Sequence, residues 1–68
     1  MKRLSYGPLW KTLHEKQMSR ADLRESAELS RTTITKLGKD ESVTLDVIVR
    51  ICQALICPMH DVVEVIEE

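Results

Sequence analysis

Arg31, Thr32, Thr35 and Lys36 stand within six positions, separated only by Thr33 and Ile34. On a helix these side chains would present two cations and several short hydroxyls to whatever lies outside. A guanidinium donates two parallel hydrogen bonds to a planar acceptor pair such as guanine O6 and N7. A threonine hydroxyl can bond a base edge while its methyl touches the thymine methyl. Ser30 precedes this segment, and Ser19-Arg20 opens an earlier one. Backbone N–H groups at helix starts beside Ser30 and Arg20 can hold phosphate oxygens. Other chemistry is poorly served. Cys52, Cys57 and His60 lack the short two-cysteine loop and the fourth ligand of a zinc site, so they are expected to be packed thiols and a surface imidazole. His14 is expected to be a surface residue. Two histidines, with no ordered acid–base pair or Ser–His–Asp arrangement, argue against catalysis, and no cofactor-binding pattern is present.

Several elements must position these groups. Pro8 suits the first turn of a helix over residues 8–16, with Leu9, Trp10 and Leu13 inward and Trp10 as a core anchor. Ser19 and Asp22 form a near relative of the capping box at the start of a second helix, whose Leu23 and Ala27 face inward, with Met18 as the staple. A tight turn at Ala27-Glu28-Leu29 leads to Ser30, a second N-cap. The third helix then covers residues 31–37 and stops at Gly38. Three threonines are poor helix formers, so packing of Ile34 and Leu37 must hold it. Thr44 caps a fourth helix over residues 45–55, with a stripe of Leu45, Ile48, Ile51, Cys52 and Leu55. Pro58 opens a short fifth helix. Residues 62–66 could equally be a strand, since β-branched residues dominate them. The expected architecture is all-α, with five short helices.

Composition narrows the class. Sixty-eight residues hold one small domain, expected to be residues 1–68, with 43% hydrophobic and 31% charged residues, the profile of a globular chain. A domain this short is marginal alone and gains from a partner subunit or ligand. No apolar run approaches the roughly 18–20 residues of a membrane span. The start has no signal-peptide pattern, so a cytoplasmic location is expected. The net charge of −1 conceals a dipole: nine basic and four acidic residues up to Lys39 give +5, while Arg50 against seven acids from Asp40 onward gives −6. One half suits a polyanion and the other is repelled by it.

The run Ser19-Arg20-Ala21-Asp22-Leu23-Arg24-Glu25-Ser26-Ala27-Glu28-Leu29-Ser30-Arg31-Thr32-Thr33-Ile34-Thr35-Lys36-Leu37 resembles the helix-turn-helix of the Cro/phage-repressor (Xre-like, lambda-repressor-like) family. Residues 44–55 resemble that family's fourth helix and residues 58–63 its closing helix. The resemblance implies a compact five-helix domain in which Arg31 and Thr32 read bases. Lys36 and Thr35 would reach further along the groove. Arg20, Thr33 and Lys39 would lie at the sugar-phosphate backbone, joined by Ser30 at its helix start. Leu23, Leu29, Ile34 and Leu37 would fix the angle between the two helices. Arg24, Glu28 and Ile56 depart from the pattern, the last two where glycine is common, and Glu25 and Glu28 bring anions near the proposed DNA side.

The implied function is a sequence-specific DNA-binding regulator, a repressor, that inserts its third helix into the major groove. One short helix reads few base pairs, so a homodimer on two half-sites is expected, with Val62, Val63, Val65 and Ile66 as its surface. The alternative is a protein-interaction module on the same scaffold, antitoxin-like or an adaptor, working through the acidic half and Val62, Val63, Val65 and Ile66.

Overall fold

Three side-chain oxygens start three of the helices. In the computed structural model, which describes residues 1–67, α2 (Arg20–Ser26) begins at Ser19, α3 (Arg31–Gly38) at Ser30 and α4 (Leu45–Leu55) at Thr44. Ser19 Oγ accepts from the Asp22 N–H at 3.1 Å, and Asp22 Oδ2 accepts from the Ser19 N–H at 2.9 Å, a complete capping box. Ser30 Oγ accepts from Thr33 N–H at 3.1 Å and Thr44 Oγ1 from Val47 N–H at 3.3 Å. The first helix, α1 (Gly7–Glu15), has no such cap and uses Pro8 in its first turn.

The expected all-α, five-helix architecture requires correction. Among the described residues there are four α-helices, a 3-10 turn at Met59–Asp61 in place of a fifth, and a two-stranded sheet. Strand β1 (Lys2–Ser5) pairs antiparallel with β2 (Glu64–Glu67), in the register Lys2↔Glu67, Arg3↔Ile66, Leu4↔Val65 and Ser5↔Glu64. Of the run 62–66 that could equally be a strand, Val65 and Ile66 are in β2 while Val62 and Val63 precede it, and a basic strand faces an acidic one, which favours this register. Hydrogen bonds bind the sheet's ends into the helical body. Tyr6 is 1% exposed. Its hydroxyl donates to the Glu41 carbonyl at 2.8 Å and its N–H to Asp40 Oδ1 at 3.0 Å. Burial pushes the phenol's pKa above its ordinary value. Thr12 Oγ1 donates to the Asp61 carbonyl at 2.8 Å, joining α1 to the 3-10 turn.

The core is Tyr6, Leu9, Leu13, Leu23, Ala27, Leu29, Leu37, Ile48, Ile51, Leu55 and Val62. Three expectations change here. Trp10 is only half-buried, packed against the core rather than anchoring it. Leu45 does not join the inner stripe of α4: it is 71% exposed, because it is the first residue after the cap and projects away from the body. Val62 is fully buried, so it cannot line a dimer surface; Val65, at 64% exposure, is the exposed member of that run.

Chain reversals fall on residues other than glycine. Gln17, Glu28, Asp40 and Ile56 all have φ between 51° and 55°, and neither glycine has positive φ. Gly38 is simply the last residue of α3, and the reversal comes two residues later, at Asp40. Glu28, where the family favours glycine, does adopt φ 55°, beside the Leu29 N–H bonded to the Arg24 carbonyl at 2.9 Å. A Cβ in that conformation costs roughly 1 kcal/mol. Glu28→Gly is therefore expected to stabilise the fold by about that amount, raising Tm by roughly 4–8 °C for a domain of this size. Thermal denaturation followed by circular dichroism checks this; an unchanged or lower Tm would show that the Glu28 side chain compensates for the strain.

Candidate nucleic-acid interface

Helix α3 has two unlike faces. Leu37 is fully buried and Ile34 half-buried against the core. At 100° per residue, Arg31, Thr32, Thr35 and Lys36 fall together on the opposite face. All four are exposed, as is Ser30; Thr33 lies at the border, half-buried. The proposed base-reading residues thus share one continuous surface, which packing of the other side turns outward.

The hydroxyls on this surface are not equivalent. Thr35 Oγ1 donates to the Arg31 carbonyl at 3.0 Å, so its oxygen remains only as an acceptor toward anything outside. Ser30 Oγ and Thr33 Oγ1 lie 3.0 Å apart and share a hydrogen, in addition to the N-cap bond. The Thr32 hydroxyl has no hydrogen bond among the described residues, leaving both its donor and its acceptor for a ligand. Arg31, Lys36 and Lys39 form no ion pair among the described residues. Among the described residues, ion pairs lie elsewhere, at Arg3–Asp40, Arg50–Asp46 and the terminal amine with Glu67, and the His60 imidazole lies 3.7 Å from Asp61. Lys39 is exposed at the C-cap of α3. The Tyr6 bonds to Asp40 and Glu41 immediately follow it and fix the loop that carries it.

Arg20 is held in a way the sequence did not disclose. Its guanidinium carbon lies 4.3 Å from the centroid of the Trp10 ring, and its Nη1 would lie 3.0 Å from a Cβ placed on Gly38. The side chain runs from the first turn of α2 between an aromatic face on α1 and the bare backbone at the end of α3. Stacking on an indole attracts the cation while leaving its N–H edge available. Trp10 is thus a half-buried platform. Gly38, expected as a helix stop, leaves room for the guanidinium. No local pattern links residues 10, 20 and 38; only the packing of three helices brings them together.

The acids the sequence places nearby are also located. Glu25 is exposed on α2, and Glu28 lines a shallow polar groove with Ser26, Arg50 and Gln53, between the α2–α3 turn and α4. Asp22 has its pKa held below the usual carboxylate value by the Ser19 N–H and hydroxyl. Among the described residues, no group of three or more His, Cys, Asp or Glu could hold a metal ion. Cys52 and Cys57 are free and half-buried, and burial raises the Cys57 thiol pKa. Among the described residues, no helix is long and apolar enough to cross a membrane.

Comparison with known proteins decides the family. The model of the Cro/C1-type HTH DNA-binding domain matches residues 8–68. The chain belongs to that family. Its fold also matches the crystal structure of the transcriptional regulator VanUg (Form II), with a TM-score of 0.93 and 42% identity over 98% of this chain and 89% of that one. Among curated proteins no match was found. In this Cro/C1-type domain Arg20 stands at the start of α2 and Arg31 at the start of α3.

Because the Ser19 cap sets the start of α2 and hence where Arg20 emerges, Ser19→Ala should cost about 1 kcal/mol of stability. The Asp22 carboxyl has a lower pKa in the folded chain than in the unfolded one, so its contribution is present above the ordinary carboxylate range and is lost as pH falls through the folded value. Urea unfolding over a pH series from neutral to below the ordinary carboxylate range should show Asp22→Asn destabilising at neutral pH and progressively less so as the pH falls through the folded value. An equal effect at every pH would remove the capping account.

Proposed function

We propose that this Cro/C1-type domain, residues 1–68 as one unit, is a sequence-specific DNA-binding regulator of transcription acting in the cytoplasm as a repressor. It places α3 in the major groove and binds as a homodimer. The observation that carries this reading is the outer face of α3: four exposed polar side chains, two of them cations without a protein partner among the described residues. The match to a DNA-binding family and to a transcriptional regulator at 42% identity supports it. Arg31 and Thr32 read base edges. Lys36 and Thr35 read one turn further along, Thr35 as an acceptor for base amino groups. Arg20, Ser30, Thr33 and Lys39 hold the sugar-phosphate backbone, Arg20 with its guanidinium backed by Trp10. No cofactor is required, since every role belongs to a side chain or a backbone N–H. A repressor needs only to occupy its operator, and every role proposed here is one of occupancy.

The interaction-module reading draws on one observation, the exposed apolar residues outside the helix-turn-helix, and a second copy of this chain accounts for those as well. Selection of bound sequences from random DNA, followed by binding at several salt concentrations, separates the two readings. A specific complex must weaken as salt rises, through counterion release. Absence of any salt-sensitive complex at low ionic strength would overturn the proposal. Arg31→Ala should cost about 1–3 kcal/mol and relax specificity at one base position, whereas Arg20→Ala should weaken all sequences alike and reduce the salt slope by about 1. If Arg31→Ala weakens every sequence equally, Arg31 is a phosphate contact instead.

A further inference from the structure

Two thiols stand apart from the outer face of α3, and the fold brings them side by side. Cys52 lies in the last turn of α4, and Cys57 is the second residue beyond its end. Between them Ile56 takes the left-handed conformation, φ 51° and ψ 56°, and turns the chain back on the helix. The backbone closes this reversal: the Cys52 carbonyl accepts from the Ile56 N–H and, at 3.2 Å, from the Cys57 N–H. A six-residue reversal of this kind sets the side chains at its two ends against each other. Both cysteines pack at the edge of the core, and both are half-buried, so a reagent can still reach them. Burial is the main cause of the raised Cys57 pKa. The Cys52 thiol adds to it through its charge and a hydrogen bond, as expected of sulfurs that face one another. A disulfide spans Cα atoms about 4.4–6.8 Å apart, and residues whose backbones share one hydrogen bond come within that reach.

We propose that Cys52 and Cys57 form a reversible disulfide, a redox latch that ties the end of α4 to the segment leading through the 3-10 turn to β2. The reagent is a low-molecular-weight disulfide. The thiolate of one cysteine attacks a sulfur of the reagent, forming a mixed disulfide and expelling one thiolate. The second cysteine, as thiolate, attacks the protein sulfur of that mixed disulfide and expels the other. The two protein sulfurs are oxidised, the reagent is reduced to two thiols, and the two cysteine protons end on them. A reduced thiol pool runs the same steps backward. The effect of the latch follows from its position. In the reduced chain the reversal is held by two hydrogen bonds to one carbonyl, against the strain of a β-branched residue at positive φ. A crosslink here restricts the unfolded chain and so favours the folded one. The buried Val62 and strand β2 both follow that joint. The pair lies outside α3, so the inference stands independently of the DNA reading.

Incubation of the full chain in glutathione buffers of increasing oxidised fraction, followed by intact-mass measurement and thermal denaturation, tests the latch. The oxidised protein should lose both free thiols and the mass of two hydrogen atoms, with no glutathione attached. Its Tm should rise by at least about 4 °C and fall back when dithiothreitol is added. Amide exchange at the Cys57 N–H should be slower in the oxidised chain than in the reduced one. Cys52→Ser and Cys57→Ser should each lose the two-hydrogen change and the Tm rise. Thiols that stay reduced in the most oxidising buffer, a wild type that carries glutathione or links to a second chain instead, or a Tm that does not rise would each overturn the proposal. If a serine variant fails to fold, the reversal of the wild type by dithiothreitol decides alone.

Discussion

Helix α3 exists because Leu37 and Ile34 have somewhere to go. Eight residues make barely two turns, three of them are threonines, and an isolated helix of that length would not persist in water. Leu37 is fully buried, Ile34 is partly covered, and Leu23, Ala27 and Leu29 line the same core from α2 and the turn. The Ser30 cap satisfies one N–H that packing cannot reach. The outer residues are thereby released from any structural duty: Arg31, Thr32 and Lys36 can be chosen for what they touch outside. Holding the fold falls to one face of this short helix, and the opposite face is left free for the contacts proposed for it.

The groups around α3 follow from that division. A cation meant for a phosphate gains if its position is set before the ligand arrives, because an immobilised side chain loses less entropy on binding. Arg20 is set by the indole of Trp10 and by the open backbone of Gly38. Lys39 rides on a loop held by Tyr6 through Asp40 and Glu41. Tyr6 therefore serves the interface without reaching it: it ties the first strand, the core and the segment after α3 into one rigid piece.

What could be read from the sequence was whatever has a local cause. The three caps at Ser19, Ser30 and Thr44 and the two apolar residues that hold α3 leave signatures within four or five positions, and all are present in the structure; the positive φ at Glu28 was implied by the family resemblance alone. The sheet was hidden because β1 contains one apolar residue, Leu4, and its partner lies at the other end of the chain. The role of Trp10 was misjudged because an indole beside two leucines reads as core, and nothing short of three packed helices brings Arg20 over it. Leu45 misled for a different reason. It fits the 3.6-residue period, yet the first residue after a cap has no preceding turn to lean on and here projects outward.

The costs in this chain point in one direction. Four residues other than glycine sit at positive φ, each at a cost of roughly 1 kcal/mol, in a domain whose total stability is expected to be only a few kcal/mol. Two of them are readily tolerated choices: Asp40 can accept from the Tyr6 N–H, and Gln17 is exposed and unbranched. Ile56 is neither: it is β-branched, at φ 51° and 89% exposed, so its strain is offset by nothing within the chain. Whatever binds only the folded chain stabilises it by mass action, so in a domain this marginal a ligand of the folded state adds a large fraction of the total stability.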